Sequence, residues 1–406
     1  MTVTQMPKIV ILITIFLVLL LSSIFMMQSL HSSLRGTTMI LGVDLYPRWV
    51  GTQAVLHGES PYSQATRQQI WLEIYGSTDM PDGNVFGFYY PPAITTLLMP
   101  FVLLGLSGKL AAILWCAFLW AILSIVLLNW SIRFRQLPKG YLILPALLIS
   151  GWFFRPAFSN YFLGQYALLS VLTAIAAWYC LENERPIWAG IFASLSLVKP
   201  SLTVIPIGYL FIKHWRNPKG ILALIASSLL LYLPPTILVG WWLPDFLSDI
   251  SGYALENRVS WSAIGLLTVP GIIWGLASLS LFGLGIKRKD SFLTLGAAFA
   301  LNAAITPHSA DYDLVAFVPL LVYVGNRWIL AKNRRGLYLV SFFALVWFPW
   351  LSMAAIIQTA DTNAIEAWYR FIWLVYPSMI LLVSFLAKIP EIKNTTTNKL
   401  KSHYAS

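Results

Sequence analysis

The sequence predicts an all-α integral membrane protein: a multi-span bundle of about twelve transmembrane helices with a long first outer loop carrying short amphipathic helices. Three observations predict it. The 406 residues are 58% hydrophobic and only 11% charged, where soluble domains run at roughly 45–50% and about 25%, and mean hydropathy is +0.72. Long apolar runs recur, beginning with the uncharged stretch from Ile9 to Met27. Between the runs, basic residues gather in short clusters: Lys213 to Lys219, Lys287-Arg288-Lys289, Arg327 to Arg335, and a Lys-rich tail. That is how a membrane chain distributes cations on its cytoplasmic side. The net charge of +11 is therefore read as topology. The bilayer is the partner it implies, and nucleic acid is not.

The spans are read at 8–30, 91–106, 108–132, 139–157, 163–181, 187–212, 219–240, 261–286, 291–304, 311–326, 336–358 and 366–388. The first follows Lys8 and lacks a small-residue cleavage site, which favours a retained helix over a cleaved signal peptide. Pro100, Pro145, Pro200, Pro206, Pro234, Pro235 and Pro270 fall within these runs. Proline is tolerated there where neighbours or a cavity satisfy the freed backbone groups, so kinked helices around a cavity are expected. Residues 1–406 form one transmembrane domain, with both termini cytoplasmic and 389–406 as a cytoplasmic basic tail. The segment 31–90, the loops near 243–260, 305–310 and 359–366, and the Arg133–Arg135–Lys139 cluster then fall outside. That last cluster runs against the charge rule. Cys116 and Cys180 lie in apolar runs and are expected to pack rather than pair.

The first outer loop, 31–90, is too long for a connector, and loops of that length carry function. Asp44 is read as the N-cap of a short helix ending near His57, with Pro47 in its first turn and Gly58 past its end. Leu45, Trp49, Val50, Ala54 and Leu56 give it an apolar side for the bilayer surface. A second helix is expected from Ser63 to Tyr75, stopping at Gly76. Asp82-Gly83 makes a turn, and Phe86 to Pro92 leads into the second span through interfacial aromatics.

Several charged or polar residues stand out in this apolar chain. Asp44 lies beside the first span, where a carboxylate is a functional candidate by default. Its helix N-terminus favours the ionised form. Lys199 sits inside Leu195-Ser196-Leu197-Val198-Lys199-Pro200, where an ammonium costs roughly 2.5–3.5 kcal/mol at bilayer depth unless paired, hydrated or bound to an anion. His308 stands at the outer end of a span. Arg48, Arg155 and Arg258 offer planar donors suited to phosphate or sugar. Gln165 suits a sugar hydroxyl or a neighbouring helix. Each has a structural reading beside the functional one: a cap for Asp44, snorkelling for Lys199, solvation for His308, headgroup or structural contacts for the arginines. Asp311-Tyr312-Asp313 has the spacing of a metal-binding Asp-x-Asp, but local polar structure at a helix start suits this setting better. No Cys/His spacing suggests a metal.

Taken together, Asp44, Arg48-Trp49, Gly58-Glu59-Ser60-Pro61-Tyr62, Tyr90-Pro91-Pro92 and the Leu-rich run to Pro100 resemble glycosyltransferase family 87. Gly164-Gln165, Leu197-Val198-Lys199-Pro200 and Thr306-Pro307-His308-Ser309-x-Asp311-Tyr312 agree with it. The resemblance runs from about residue 40 to 330. The chain departs from the usual family pattern around Trp49, where Pro47-Arg48 precede it and Val50-Gly51-Thr52 follow. That bears on sugar or acceptor identity more than on reaction type.

The resemblance implies a GT-C type bundle and a reaction. One sugar, commonly mannose, passes from a polyprenyl monophosphate to a hydroxyl of a membrane glycolipid or cell-envelope glycan on the outer face, with inversion. Asp44 would be the general base. Lys199, His308, Arg258 and Arg155 would bind the donor phosphate. Arg48, Trp49, Tyr62, Tyr90, Gln165, Asp311 and Tyr312 would contact sugar or acceptor. A monophosphate leaving group needs no chelating metal, so neither metal nor other cofactor is expected. Two competing readings share the many spans. A transporter or flippase of a lipid-linked sugar would show repeated halves, and none is visible. A polymerase or ligase using a diphosphate carrier would place its key Arg and His in a large late outer loop, and 243–260 is small for that.

Overall fold

The computed structural model describes residues 41–79, 86–132, 134, 140–256, 269–306, 310–331, 335–359 and 364–387. The first expected span, 8–30, lies outside them, as do Asp82, the Arg133–Arg135–Lys139 cluster and the tail. Among the described residues the chain is helical throughout, with no strand. The first described segment forms α1 (Tyr46–Leu56) and α2 (Gln64–Tyr75), then come α3 (Ala93–Leu103), α4 (Gly108–Ile132) and α5 (Gly140–Trp152). The middle of the chain forms α6 (Arg155–Leu163), α7 (Ala167–Glu182), α8 (Pro186–Ser196), α9 (Pro200–Lys213) and α10 (Pro218–Val239). The remainder forms α11 (Leu243–Glu256), α12 (Val269–Arg288), α13 (Ser291–Ile305), α14 (Val318–Leu330), α15 (Arg335–Thr359) and α16 (Ala364–Leu386). Short 3-10 helices at Val43–Leu45 and Asp311–Phe317 precede α1 and α14.

Among the described residues five helices are long and apolar enough to cross a bilayer, or six if α6 and α7, bent by 115°, count as one span. Several other expected spans coincide with shorter apolar helices such as α3, α8, α9 and α13. Several expected boundaries move. The expected span 187–212 is two helices, α8 and α9, separated at Leu197–Lys199. Pro200 opens a helix instead of kinking one, since a first-turn proline has no hydrogen bond to lose. Pro100, Pro145, Pro206, Pro234 and Pro235 do lie inside helices. The loop near 243–260 contains α11.

The small helices show why local sequence forms local structure. Ser63 caps α2 by accepting from Thr66 N, and Gly76 ends it at φ +72°. Gly58 follows α1 at φ +78°. The bilayer-facing role expected of α1 is not what the structure shows. Leu45, Trp49 and Val50 are buried inside the protein, because α1 packs on α3 and α2. α7 and α13 are buried along most of their length, and they centre the bundle. By contrast α10 exposes Leu222, Leu229, Leu230 and Ile237 and faces outward.

Polar ties distinguish the two ends of the bundle. At one end, Lys213 pairs with Glu182 at 3.7 Å, Ser291 donates to Glu182 at 2.5 Å, and Arg327 pairs with Asp290 at 2.5 Å. The basic clusters after α9 and α12 therefore share a face, as the charge pattern requires. Elsewhere Arg67 pairs with Asp249 of α11 at 3.0 Å, and Ser60 donates to Asp245 at 3.2 Å. These bonds join segments 31–90 and 243–260, which the sequence assigns to one side. The N-terminal ends of α7 and α9, opposite Glu182 and Lys213, carry the candidate site.

Candidate active site

The site is built on a close approach of two glycines. Gly42, at φ +73°, turns the chain into the 3-10 helix that holds Asp44, and its N–H donates to Phe162 O at 2.8 Å. Gly164, at φ +76°, ends α6 and starts the bend into α7. A Cβ on Gly164 would lie 3.1 Å from Gly42 Cα and 3.2 Å from Leu45 Cβ. Only glycine combines that backbone with that clearance. Asn160 secures the bend. Its amide nitrogen donates to Pro156 O and Tyr312 O, and its oxygen accepts from Leu168 N at 2.8 Å, capping α7.

Asp44 is therefore not the N-cap of α1. That position is Leu45, with no side-chain cap bond. The Asp44 carboxylate instead accepts from Gln165 Nε2 at 2.7 Å. Arg48, one turn on, is fully buried, which rules out a headgroup-facing role. Its guanidinium donates to Gly164 O at 2.8 Å, to Gln165 Oε1 at 2.8 Å and to the Tyr90 hydroxyl at 3.4 Å. It packs on two rings, 4.5 Å from the centroid of Tyr90 and 4.6 Å from that of Tyr166. Such contacts stabilise a desolvated guanidinium.

Two ion pairs complete the cluster. Lys199, in the turn before α9, pairs with Asp313, with its ammonium 4.8 Å from the ring centroid of Tyr312. It is neither snorkelling nor unpaired. Arg155 opens α6, pairs with Asp311 at 3.2 Å and lies 5.0 Å from the Trp350 ring centroid. Ser159 donates to Asp311 Oδ2 at 3.1 Å and accepts from Arg155. Asp311-Tyr312-Asp313 is thus local polar structure at a helix start, each carboxylate committed to a cation. No group of three or more His, Cys, Asp or Glu could hold a metal among the described residues.

Asp44, Asp311 and Asp313 balance Arg48, Arg155 and Lys199. Asp44 interacts electrostatically with Arg48, Asp311 and Lys199. Burial raises its pKa above the ordinary carboxylate value. Arg48 and the Gln165 hydrogen bond oppose that rise, Asp311 adds to it and Lys199 opposes it. The expected stabilisation of the ionised form by a helix N-terminus is overridden by desolvation.

The sequence-assigned residues fall into four groups. Asp44, Arg48, Gln165, Lys199, Arg155, Asp311, Tyr312 and Tyr90 come together in the cluster. Tyr62 stands beside it, its hydroxyl donating to Tyr90 O at 2.8 Å. Trp49 is buried instead at the start of α4, where its indole would lie 3.2 Å from a Cβ on Gly108. His308 and Arg258 lie outside the described residues. Asp313, Asn160, Ser159 and Tyr166 were not assigned to the site from sequence. For Asp313 and Asn160 the signal was present, as polar residues in otherwise apolar surroundings.

A family model described as Glycosyltransferase family 87 matches residues 88–349, well over half of the chain. The chain belongs to glycosyltransferase family 87. No curated protein and no solved structure matches it. As a family 87 protein it is a membrane glycosyltransferase, which displaces the transporter reading. The family 87 segment contains Gln165, Lys199, Asp311 and Asp313, whereas Asp44 and Arg48 precede it. The bond from Gln165 to Asp44 joins the two parts.

Proposed function

We propose that the protein transfers one mannose from a polyprenyl monophosphate to a hydroxyl of a lipid-linked or cell-envelope glycan, with inversion, and that Asp44 is the general base. The observation that carries this reading is the meeting of Asp44 with Lys199, and with Arg155 through Asp311, in one buried cluster. With Asp44 as base and the two cations as phosphate partners, the attacking hydroxyl and the leaving group have separate partners. Asp44 takes the proton as the acceptor oxygen attacks the anomeric carbon. The C1–O bond to phosphate breaks on the opposite face, and its electron pair leaves with the phosphate. Lys199 and Arg155, joined by His308 and Arg258, receive that charge. They already hold Asp313 and Asp311, so the phosphate competes with those carboxylates. Tyr312 and Tyr90 border the cluster as sugar contacts. No metal is required.

Purified protein supplied with radiolabelled polyprenyl-phosphate-mannose and a membrane glycolipid fraction should release polyprenyl phosphate and label the glycolipid with the anomer inverted. Transfer from nucleotide sugars alone would overturn the donor assignment.

The full chain in this reading has about twelve spans, with 31–90 and the site outside and the termini in the cytoplasm. A cysteine at Thr78 should react with an impermeant thiol reagent applied to intact cells, and one at Asn217 should not. The native Cys116 and Cys180 are buried, so background labelling should be low. The reverse pattern would put Asp44 on the cytoplasmic side.

A further inference from the structure

We infer that Arg48 and Gln165 are positioning residues for Asp44: Arg48 fixes the Gln165 amide in one orientation, and that amide holds one carboxylate oxygen so that the other faces the acceptor. The inference rests on the proposed role of Asp44 as base, and it reassigns two residues first read as sugar or acceptor contacts.

A glutamine amide has one accepting end and one donating end, and a guanidinium can only donate. Arg48 Nη2 lies 2.8 Å from Gln165 Oε1. The oxygen must therefore face Arg48, which turns Nε2 toward Asp44 Oδ2 at 2.7 Å. Reversing the amide would set NH2 against the guanidinium and oxygen against the carboxylate, leaving buried donors and acceptors unmatched. Arg48 is itself immobilised, bonded to Gly164 O and packed on Tyr90 and Tyr166. The chain of bonds runs in one direction, from a buried cation through a neutral amide to the acid.

The other groups acting on Asp44 come from separate elements. Asp311, from the 3-10 helix before α14, disfavours its ionisation, and Lys199, from the turn before α9, favours it. Both are held in ion pairs of their own. Arg48 and Gln165 are the strongest of the groups that offset the burial of Asp44. Both are also enclosed, with little surface for a sugar to touch.

The test is an infrared titration of the full-length protein in detergent. The band of the protonated Asp44 carboxyl is identified by its absence in Asp44→Asn, so the readout does not depend on turnover. Gln165→Leu removes the bond. Gln165→Glu is isosteric, keeps a partner for Arg48 and guards against misfolding, but its new carboxylate cannot donate and repels Asp44. Both should move the Asp44 titration upward by roughly one to two pH units, and the ascending limb of the transfer rate should move with it. Arg48→Met should act in the same direction. An unmoved titration in folded Gln165→Leu or Gln165→Glu overturns the inference. So does a rate lost equally at every pH, or a raised acceptor KM with an unmoved limb. A shifted titration in a protein whose Asp44→Asn variant still transfers sugar would keep the lock and remove the base assignment instead.

Discussion

Asp44→Asn is expected to lower sugar transfer by ~10²–10⁴-fold, the usual loss for a missing general base, without lowering the melting temperature. The substitution keeps an oxygen for Gln165 Nε2 to bond and removes a charge from an enclosed site. The sign follows from the raised pKa of Asp44. An acid whose pKa is higher folded than unfolded stabilises the fold fully below its unfolded pKa. That contribution is lost as pH rises through the folded pKa. Above that folded pKa the ionised carboxylate is therefore a destabilising element that Asn lacks. For the same reason, the wild-type rate should rise with pH through a limb lying above the ordinary aspartate value of about 3.9. Transfer within threefold of wild type in Asp44→Asn would move the search for the base to another residue.

Lys199→Met should remove transfer and also destabilise the protein. From sequence, an unpaired lysine in an apolar run would be relieved by such a change. The structure reverses that expectation, because Lys199 is paired with Asp313, and the two side chains are only 12% and 5% exposed. Breaking a buried pair from one side leaves the other charge uncompensated and costs about 3–5 kcal/mol. The double variant Lys199→Met, Asp313→Asn should recover much of the melting temperature, since no charge is stranded. It should not recover transfer if the ammonium meets the leaving phosphate. Full activity in the stable double variant would refute a phosphate role for Lys199 and direct attention to Arg155.

How much of this was legible in the sequence depended on the range of the interaction. α2 was readable to within a residue because Ser63 and Gly76 are local signals for a cap and a stop. α4 was readable because its apolar run is uninterrupted. The break at Leu197–Lys199 was harder, since apolar residues continue through it and hydropathy alone cannot separate one span from two short helices. Pro200 was the clue, as proline suits a first turn better than an interior. The bend at Gly164 is similar: apolar sequence surrounds it, and the left-handed backbone is its cause. The candidate acid was legible because a carboxylate beside a span is costly. Its partner was not, because Gln165 lies 121 residues away in sequence. The same holds for Asp313, which takes its meaning from Lys199 across 114 residues.

The contact between Gly42 and Gly164 has a consequence for building chimaeras. The acid travels on one piece of chain and its amide holder on another; a side chain on Gly164 would press on Gly42 and Leu45, and one on Gly42 would meet Ala112 Cβ at 2.8 Å. An Asp44-bearing segment grafted from a relative will seat its carboxylate only if it brings a glycine at the Gly42 position. The recipient must likewise present a glycine at the bend. Exchange of the first loop between such enzymes is therefore governed by two residues with no chemistry of their own.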